Sequence, residues 1–314
     1  MSRAASSGAG RPDRSTFIAF ILMVVFAGGN AVAVRFSNFG LPPFWGAVLR
    51  MGGAGLVFWI VIAVRRIALP RGRALTGAIL YGLVGVGAAY AFVYWGLLRV
   101  PAGLGGAILT LVPLMTLFFA SAHGLEIFRW QGLMGALIAA AGVLVGVLGG
   151  IGGAAIHVPS VLALVVGTAC FAESGVIYKL IPPSHPVAVN ALSQVAGIPV
   201  LFILSLLAGE EWSLPTTANT WVALAYLVLI GSVVVFSLYL HVLSRWTASA
   251  TSYSFLLIPV STVAIAAWLL GEAVTTTFII GAALVLVGVW VGAIQGAPKV
   301  VDVTCSEMPN KAIC

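Results

Sequence analysis

Apolar residues come in long, unbroken runs separated by short polar gaps, with neither the two-residue alternation of a half-buried strand nor the single apolar stripe of a surface helix. The runs cover 16–36, 42–64, 74–97, 102–121, 130–149, 159–180, 185–208, 219–243, 248–270 and 276–295. About 20 apolar residues carry a helix across the hydrocarbon of a bilayer. Each run therefore predicts a transmembrane helix, and together they predict an all-α membrane protein with ten of them. Barrel strands are not expected, because they alternate over ~10 residues and these runs are continuous and rich in Leu, Ala and Gly.

A second pattern lies inside the first. From Arg99 to Gly150 the chain can be laid over Arg245 to Gly296 at a constant offset of 146. This pairs Ala102 with Ala248, Leu111 with Leu257, Pro113 with Pro259, Thr116 with Thr262, Glu126 with Glu272, and Gly135, Gly142 and Gly146 with Gly281, Gly288 and Gly292. A weaker match sets Asn30 to Arg35 on Ser174 to Lys179 at an offset of 144, and Pro43 on Pro186. Five helices per copy is an odd number, so the second copy must enter the membrane upside down. The expected organisation is a flexible tail over 1–15, a first five-helix repeat over 16–150, an inverted second repeat over 151–296, and a tail over 297–314. A central cavity between two such halves is where secondary transporters hold their cargo.

Composition and charge narrow the class. Hydrophobic residues make up 61% of the 314 and charged ones 7%, so the chain is solvated by lipid or by itself. The net charge of +7 is no nucleic-acid footprint, because the cations sort by side. In the ten-helix arrangement Arg3, Arg11, Arg14, Arg65, Arg66, Arg71, Arg73, Arg129, Lys179, Arg245, Lys299 and Lys311 all fall on one face, against Arg35 and Arg99 on the other. Cationic loops stay cytosolic, which places both termini in the cytosol. Of the three cysteines, Cys170 is in a span and Cys305 and Cys314 are in the cytosolic tail, so no disulfide framework is expected.

Polar groups inside the spans are the functional pointers, since a charge at mid-bilayer costs ~2.5–3.5 kcal/mol on insertion scales. Glu173 should face a wet cavity, pair with a cation such as Arg50, or carry a proton; the readings are a proton-coupling site and a buried structural partner. Arg50 can accept a substrate carboxylate or complete an ion pair. Asn30, Ser174, Asn190 and Gln194, with Thr110, can bind a ligand or tie helices together. Tyr90 and Tyr94 share a helix face, with Phe236 at the position equivalent to Tyr90 and Tyr239 nearby, suiting a flat apolar cargo or ordinary packing. Pro113 and Pro259, placed mid-helix, should kink their spans or serve as hinges. The Gly142/Gly146/Gly150 and Gly288/Gly292/Gly296 stripes read as close-packing faces, within a monomer or a weak dimer. Glu126 and Glu272 read as helix caps. The four histidines lack metal spacing, and neither a metal nor a cofactor is expected.

The Trp268-Leu-Leu-Gly-Glu272 segment, followed by Gly281 and the Gly288-Val-Trp-Val-Gly292 run, resembles the EamA family of the drug/metabolite transporter superfamily. Gly29-Asn-Ala-Val-Ala-Val-Arg35 and the Pro113 and Pro259 helices extend the resemblance over residues 16–296. It implies two inverted five-helix units around a cavity, in a bacterial inner membrane, and export of small metabolites. Within the family the chain most resembles the YddG-type exporters of aromatic amino acids. The expected function is alternating-access export of aromatic amino acids, with other amino acids or cationic drugs as alternative cargo. A channel would need a polar stripe along one helix, and an intramembrane enzyme a pair of catalytic residues; neither pattern stands out.

Overall fold

The computed structural model describes residues 14–100, 108–148, 157–270 and 276–294. Glu272, Ala102, Gly103, Gly106, Ala107, Gly150, Gly296, Cys305 and Cys314 lie outside them. Among the described residues every regular element is helical. In chain order the helices are α1 (Arg14–Asn38), α2 (Pro43–Arg65), α3 (Arg73–Leu97), α4 (Val112–Ala122), α5 (Trp130–Leu148), α6 (Val158–Leu180), α7 (Pro186–Leu207), α8 (Ala218–Arg245), α9 (Ala248–Ser252 continued by Ser254–Leu270) and α10 (Thr276–Val289 closed by a wide turn, Trp290–Ile294). Helices α2, α3, α6, α7, α8 and the start of α9 have the length and apolarity to cross a bilayer, and α1, α4, α5 and α10 contribute shorter apolar stretches. Their outward faces carry Val64, Leu207 and Trp268, each more than three-quarters exposed, as lipid contact requires.

Local chemistry sets the ends. Proline occupies the first turn of α2, α6 and α7, where its missing N–H costs nothing. Thr217 and Thr247 cap α8 and α9, accepting from Thr220 N and Ala250 N at 3.3 and 3.1 Å. Pro113, expected in mid-helix, sits in the first turn of α4 just after a break at Thr110 and Leu111, the position proline tolerates best. Pro259 is inside α9 as expected.

Two helices share an irregularity. In α3 the stretch Leu83–Ala88 widens into a π-helical turn, and in α8 so does Leu229–Val234. The two stretches are separated by 146 residues, the same offset found further along the chain.

Contacts at the helix ends give the threading. Glu210, just beyond α7, accepts from Phe44 N and Trp45 N at the start of α2, at 3.0 and 2.7 Å. Arg99 beyond α3 meets His157 before α6 at 3.1 Å. Glu126 beyond α4 accepts from Ser249 N in the first turn of α9 at 3.1 Å, and Arg245 at the end of α8 reaches Thr16 at the start of α1. Helices α2 and α7 are therefore antiparallel neighbours. So are α5 and α10: a Cβ on Gly135 would come within 2.5 Å of Gly292 Cα, and one on Gly142 within 2.6 Å of Gly281 O. Glycine brings these two backbones into direct contact, so the described part of the stripes is a packing face within one chain. Around these pairs α1 packs on α8 and α9, while α6 packs on α3 and α4.

Candidate functional site

The polar residues of the spans separate into groups. The first forms where α1, α2, α3 and α8 meet. Arg50, only 4% exposed, donates from Nε to Ser232 Oγ at 2.8 Å and from Nη2 to Gly231 O at 3.0 Å. Asn30 Nδ2 donates to the same carbonyl at 3.3 Å. Both acceptors belong to the π turn of α8, whose wider coil leaves a carbonyl lone pair open to a neighbour. The guanidinium carbon lies 5.7 Å from the centre of the Tyr90 ring, within cation–π range.

From Tyr90 a row of rings runs across the bundle. Tyr94 is 6.1 Å away, Phe171 of α6 stands edge-on at 5.3 Å, and Phe255 of α9 follows Phe171 at 5.9 Å. All four rings are half-buried. Phe171 and Phe255 were not singled out from sequence; among 16 phenylalanines in an apolar chain nothing distinguishes them before the helices are assembled.

The remaining candidates lie apart from Arg50. Glu173, for which Arg50 is one candidate partner, faces His123 after α4, with Oε1 3.4 Å from Nε2. His123 Nδ1 is 2.9 Å from Phe119 O, and Glu173 Oε2 is buried without a hydrogen-bond partner among the described residues. Ser174 donates to Phe171 O at 2.8 Å and packs against Gly85 in the π turn of α3. Asn190 and Gln194 are fully buried in α7, and both ends of each amide lack a partner among the described residues. Gln194 packs on Gly55 of α2. Tyr239 packs against the cluster around Tyr81, Tyr178 and Leu240 and lies over Gly175. A surface depression of about 670 Å³, lined by Ile60, Val61, Val64, Arg65, Ile67, His185 and Val187, contains none of the candidates.

The described helices are apolar and enclose a cation, amides without a partner among the described residues, and a row of rings, the make-up of a membrane protein. The EamA-like transporter family matches the chain twice in succession, over residues 14–148 and 158–293, and the chain belongs to that family. It is accordingly a membrane transporter. It is 26% identical to the uncharacterized inner membrane transporter YedA of Escherichia coli K12 over 246 residues, 76% of this chain and 78% of that one. It is 27% identical over 285 residues to a protein of Salmonella typhimurium described as a probable amino-acid metabolite efflux pump, covering 88% and 93% of the two chains. A solved crystal structure with 20% sequence identity superposes with a TM-score of 0.77 over 90% of this chain and 98% of its own, which shows a shared fold.

Proposed function

We propose that this protein exports aromatic amino acids across the bacterial inner membrane by alternating access, with ten crossings arranged as two inverted five-helix halves over 16–150 and 151–296 and both tails in the cytosol. The inverted threading is supported by α2 against α7 and α5 against α10. The duplication makes the members of each pair equivalent, and they run in opposite directions. The positions of Arg65, Arg129, Lys179 and Arg245 in the sequence support a cytosolic face at the starts of α1, α3 and α9. The efflux-pump description of the Salmonella relative supports amino-acid cargo.

One observation carries the aromatic preference. The rings of Tyr94, Tyr90, Phe171 and Phe255 form a half-buried row joining α3, α6 and α9, and so join the two halves. A planar side chain can lie against such a row, gaining about 0.5–1.5 kcal/mol per ring pair beyond its area. Asn30 beside the row supplies polar contact for the cargo backbone, with Ser174, Asn190, Gln194 and Tyr239 completing the polar lining as the halves move. Glu173 is the group able to take up a proton during the cycle, and Pro259 and the break before Pro113 are where α9 and α4 can flex.

Proteoliposomes containing the purified chain test this. Labelled phenylalanine or tryptophan should enter them faster than it enters empty vesicles and faster than alanine does. Equal uptake with and without protein for every amino acid tried defeats the reading. Impermeant thiol labelling in cells should reach Glu272→Cys from outside and Glu126→Cys only after the membrane is opened; labelling of both from one side defeats the inverted arrangement.

A further inference from the structure

The geometry points to Arg50 as the anchor for a carboxylate of the cargo, an inference that rests on the amino-acid reading above and makes a carboxylate a requirement for transport. Arg50 is the cation that the sequence places inside a span rather than at its end, and a guanidinium there is costly unless its charge is answered. The groups that meet it answer only its hydrogen bonding. Ser232 Oγ and Gly231 O are neutral acceptors, and the Tyr90 ring is a weak electrostatic partner. Those two bonds engage two of the five N–H donors of the side chain.

No carboxylate of the described residues lies within 4.0 Å of Arg50; the one ion pair found among them is His123 with Glu173. The other acidic side chains among the described residues lie elsewhere. Glu126 and Glu210 hold helix N-termini, and Glu211 is exposed. Among the described residues the site thus holds a 96%-buried guanidinium with no carboxylate against it, beside a row of aromatic rings. A planar fork of donors fits a carboxylate in two parallel hydrogen bonds, an arrangement about twice as strong as neutral pairing.

The duplication sharpens this. At the offset of 143 that sets Pro43 on Pro186 at the starts of α2 and α7, Arg50 falls on Ser193, so the equivalent place in the other half is neutral. The site is charged on one side only, and a zwitterion has one favoured orientation, carboxylate toward α2. Asn30 Oδ1, buried without a partner among the described residues, is the acceptor beside Arg50 for the ammonium of the same molecule.

Phenethylamine, which is phenylalanine without its carboxylate, separates this role from a structural one. In proteoliposomes the native chain should carry phenylalanine at least about tenfold better than phenethylamine, the ratio that losing one charge-assisted hydrogen bond gives. Arg50→Lys, which keeps the charge and loses the fork, should raise KM for phenylalanine about tenfold or more with a smaller change in maximal rate. Arg50→Gln should abolish the preference for phenylalanine over phenethylamine, while its melting curve and elution volume in detergent report whether it is folded. If Arg50→Gln does not fold, the Arg50→Lys KM and the native selectivity decide. Equal transport of the two compounds by the native chain, or a native KM in Arg50→Lys, overturns the anchor and leaves the exporter reading standing. A native chain that carries neither compound nor any other amino acid overturns both.

Discussion

Asn30 donates its side-chain amide to the carbonyl of Gly231 at 3.3 Å, and the corresponding residue of the other half, Ser174, packs on Gly85, the glycine that corresponds to Gly231. Two offsets close this square: 144 relates Asn30 to Ser174, and 146 relates Gly85 to Gly231. The first helix of each half thus reaches into the π turn of the other half, with an amide on one side and a hydroxyl on the other.

The two glycines should be intolerant of a side chain. A methyl on Gly231 overlaps the Asn30 amide, and one on Gly85 comes within 2.8 Å of Ser174 Oγ. Gly231→Ala and Gly85→Ala are each expected to destabilise by about 1–3 kcal/mol, read as a lower melting midpoint in detergent. Adding Asn30→Ala to Gly231→Ala should recover part of the loss, and strict additivity of the two would contradict the contact.

The seam between α5 and α10 should be stricter still. A methyl on Gly288 meets Gly135 O and Ala139 N, backbone atoms that cannot rotate away. Gly288→Val should cost about 3 kcal/mol or more. Gly52 in α2 has nothing within 4 Å of its Cβ position, so Gly52→Ala is the control and should be neutral or stabilising by about 0.5–1 kcal/mol. Similar melting shifts for the two variants would show that the seam is looser than described.

Glu210 and Glu126 act at opposite ends of the bundle with unequal weight. Glu210 accepts from Phe44 N, Trp45 N and Ser205 Oγ, while Glu126 accepts from Ser249 N. Glu210→Ala should lower stability by about 1–2 kcal/mol and more than Glu126→Ala does. Thermal melts of the two variants at equal pH provide the comparison.

If Glu173 takes up a proton in the cycle, Glu173→Gln should make uptake nearly flat with pH, while the native chain remains pH-dependent. His123→Gln should alter that profile without flattening it, because it removes the partner of Glu173 and leaves the carboxyl. An unchanged profile in Glu173→Gln would remove the proton role.

Much of this arrangement was legible in the chain itself. Apart from the run over 102–121, which breaks at Thr110 and Leu111 before α4, the described helices follow the apolar runs within a few residues, because a span in lipid has to satisfy its backbone internally and little else competes with that. The close approach at Gly142 and Gly288 agrees with the packing face that glycine spacing predicts. Partners were harder to read. Sign alone offers Glu173 a cation such as Arg50, among other possibilities; distance pairs it with His123, just beyond the end of α4. Arg50 turns to a main-chain oxygen of α8, which carries no side-chain signature and is made accessible by a widened turn. Tyr239 shares the chemistry of Tyr90 and Tyr94 but points into a different cluster, and Pro113 looks mid-helical only if the break before it is overlooked.

The ring row should affect affinity more than rate. Replacing Tyr90 or Phe171 with Leu keeps volume near the native value while removing the flat face, so KM for phenylalanine should rise roughly two- to tenfold, with alanine uptake unaffected. Competition between the two amino acids in the same vesicles measures this.

The widened coil at Leu83–Ala88 also acts as an indexing notch for everything beyond it on α3. Each residue advances the helix by about 100°, and such a coil holds one residue more than a regular turn. Deleting Val84 would let the segment relax to ordinary pitch and swing Tyr90 and Tyr94 by roughly that angle, off the guanidinium and toward another side of the bundle, without altering the composition of either site. Chain length at this point therefore sets the chemistry of the passage as firmly as any side chain that lines it.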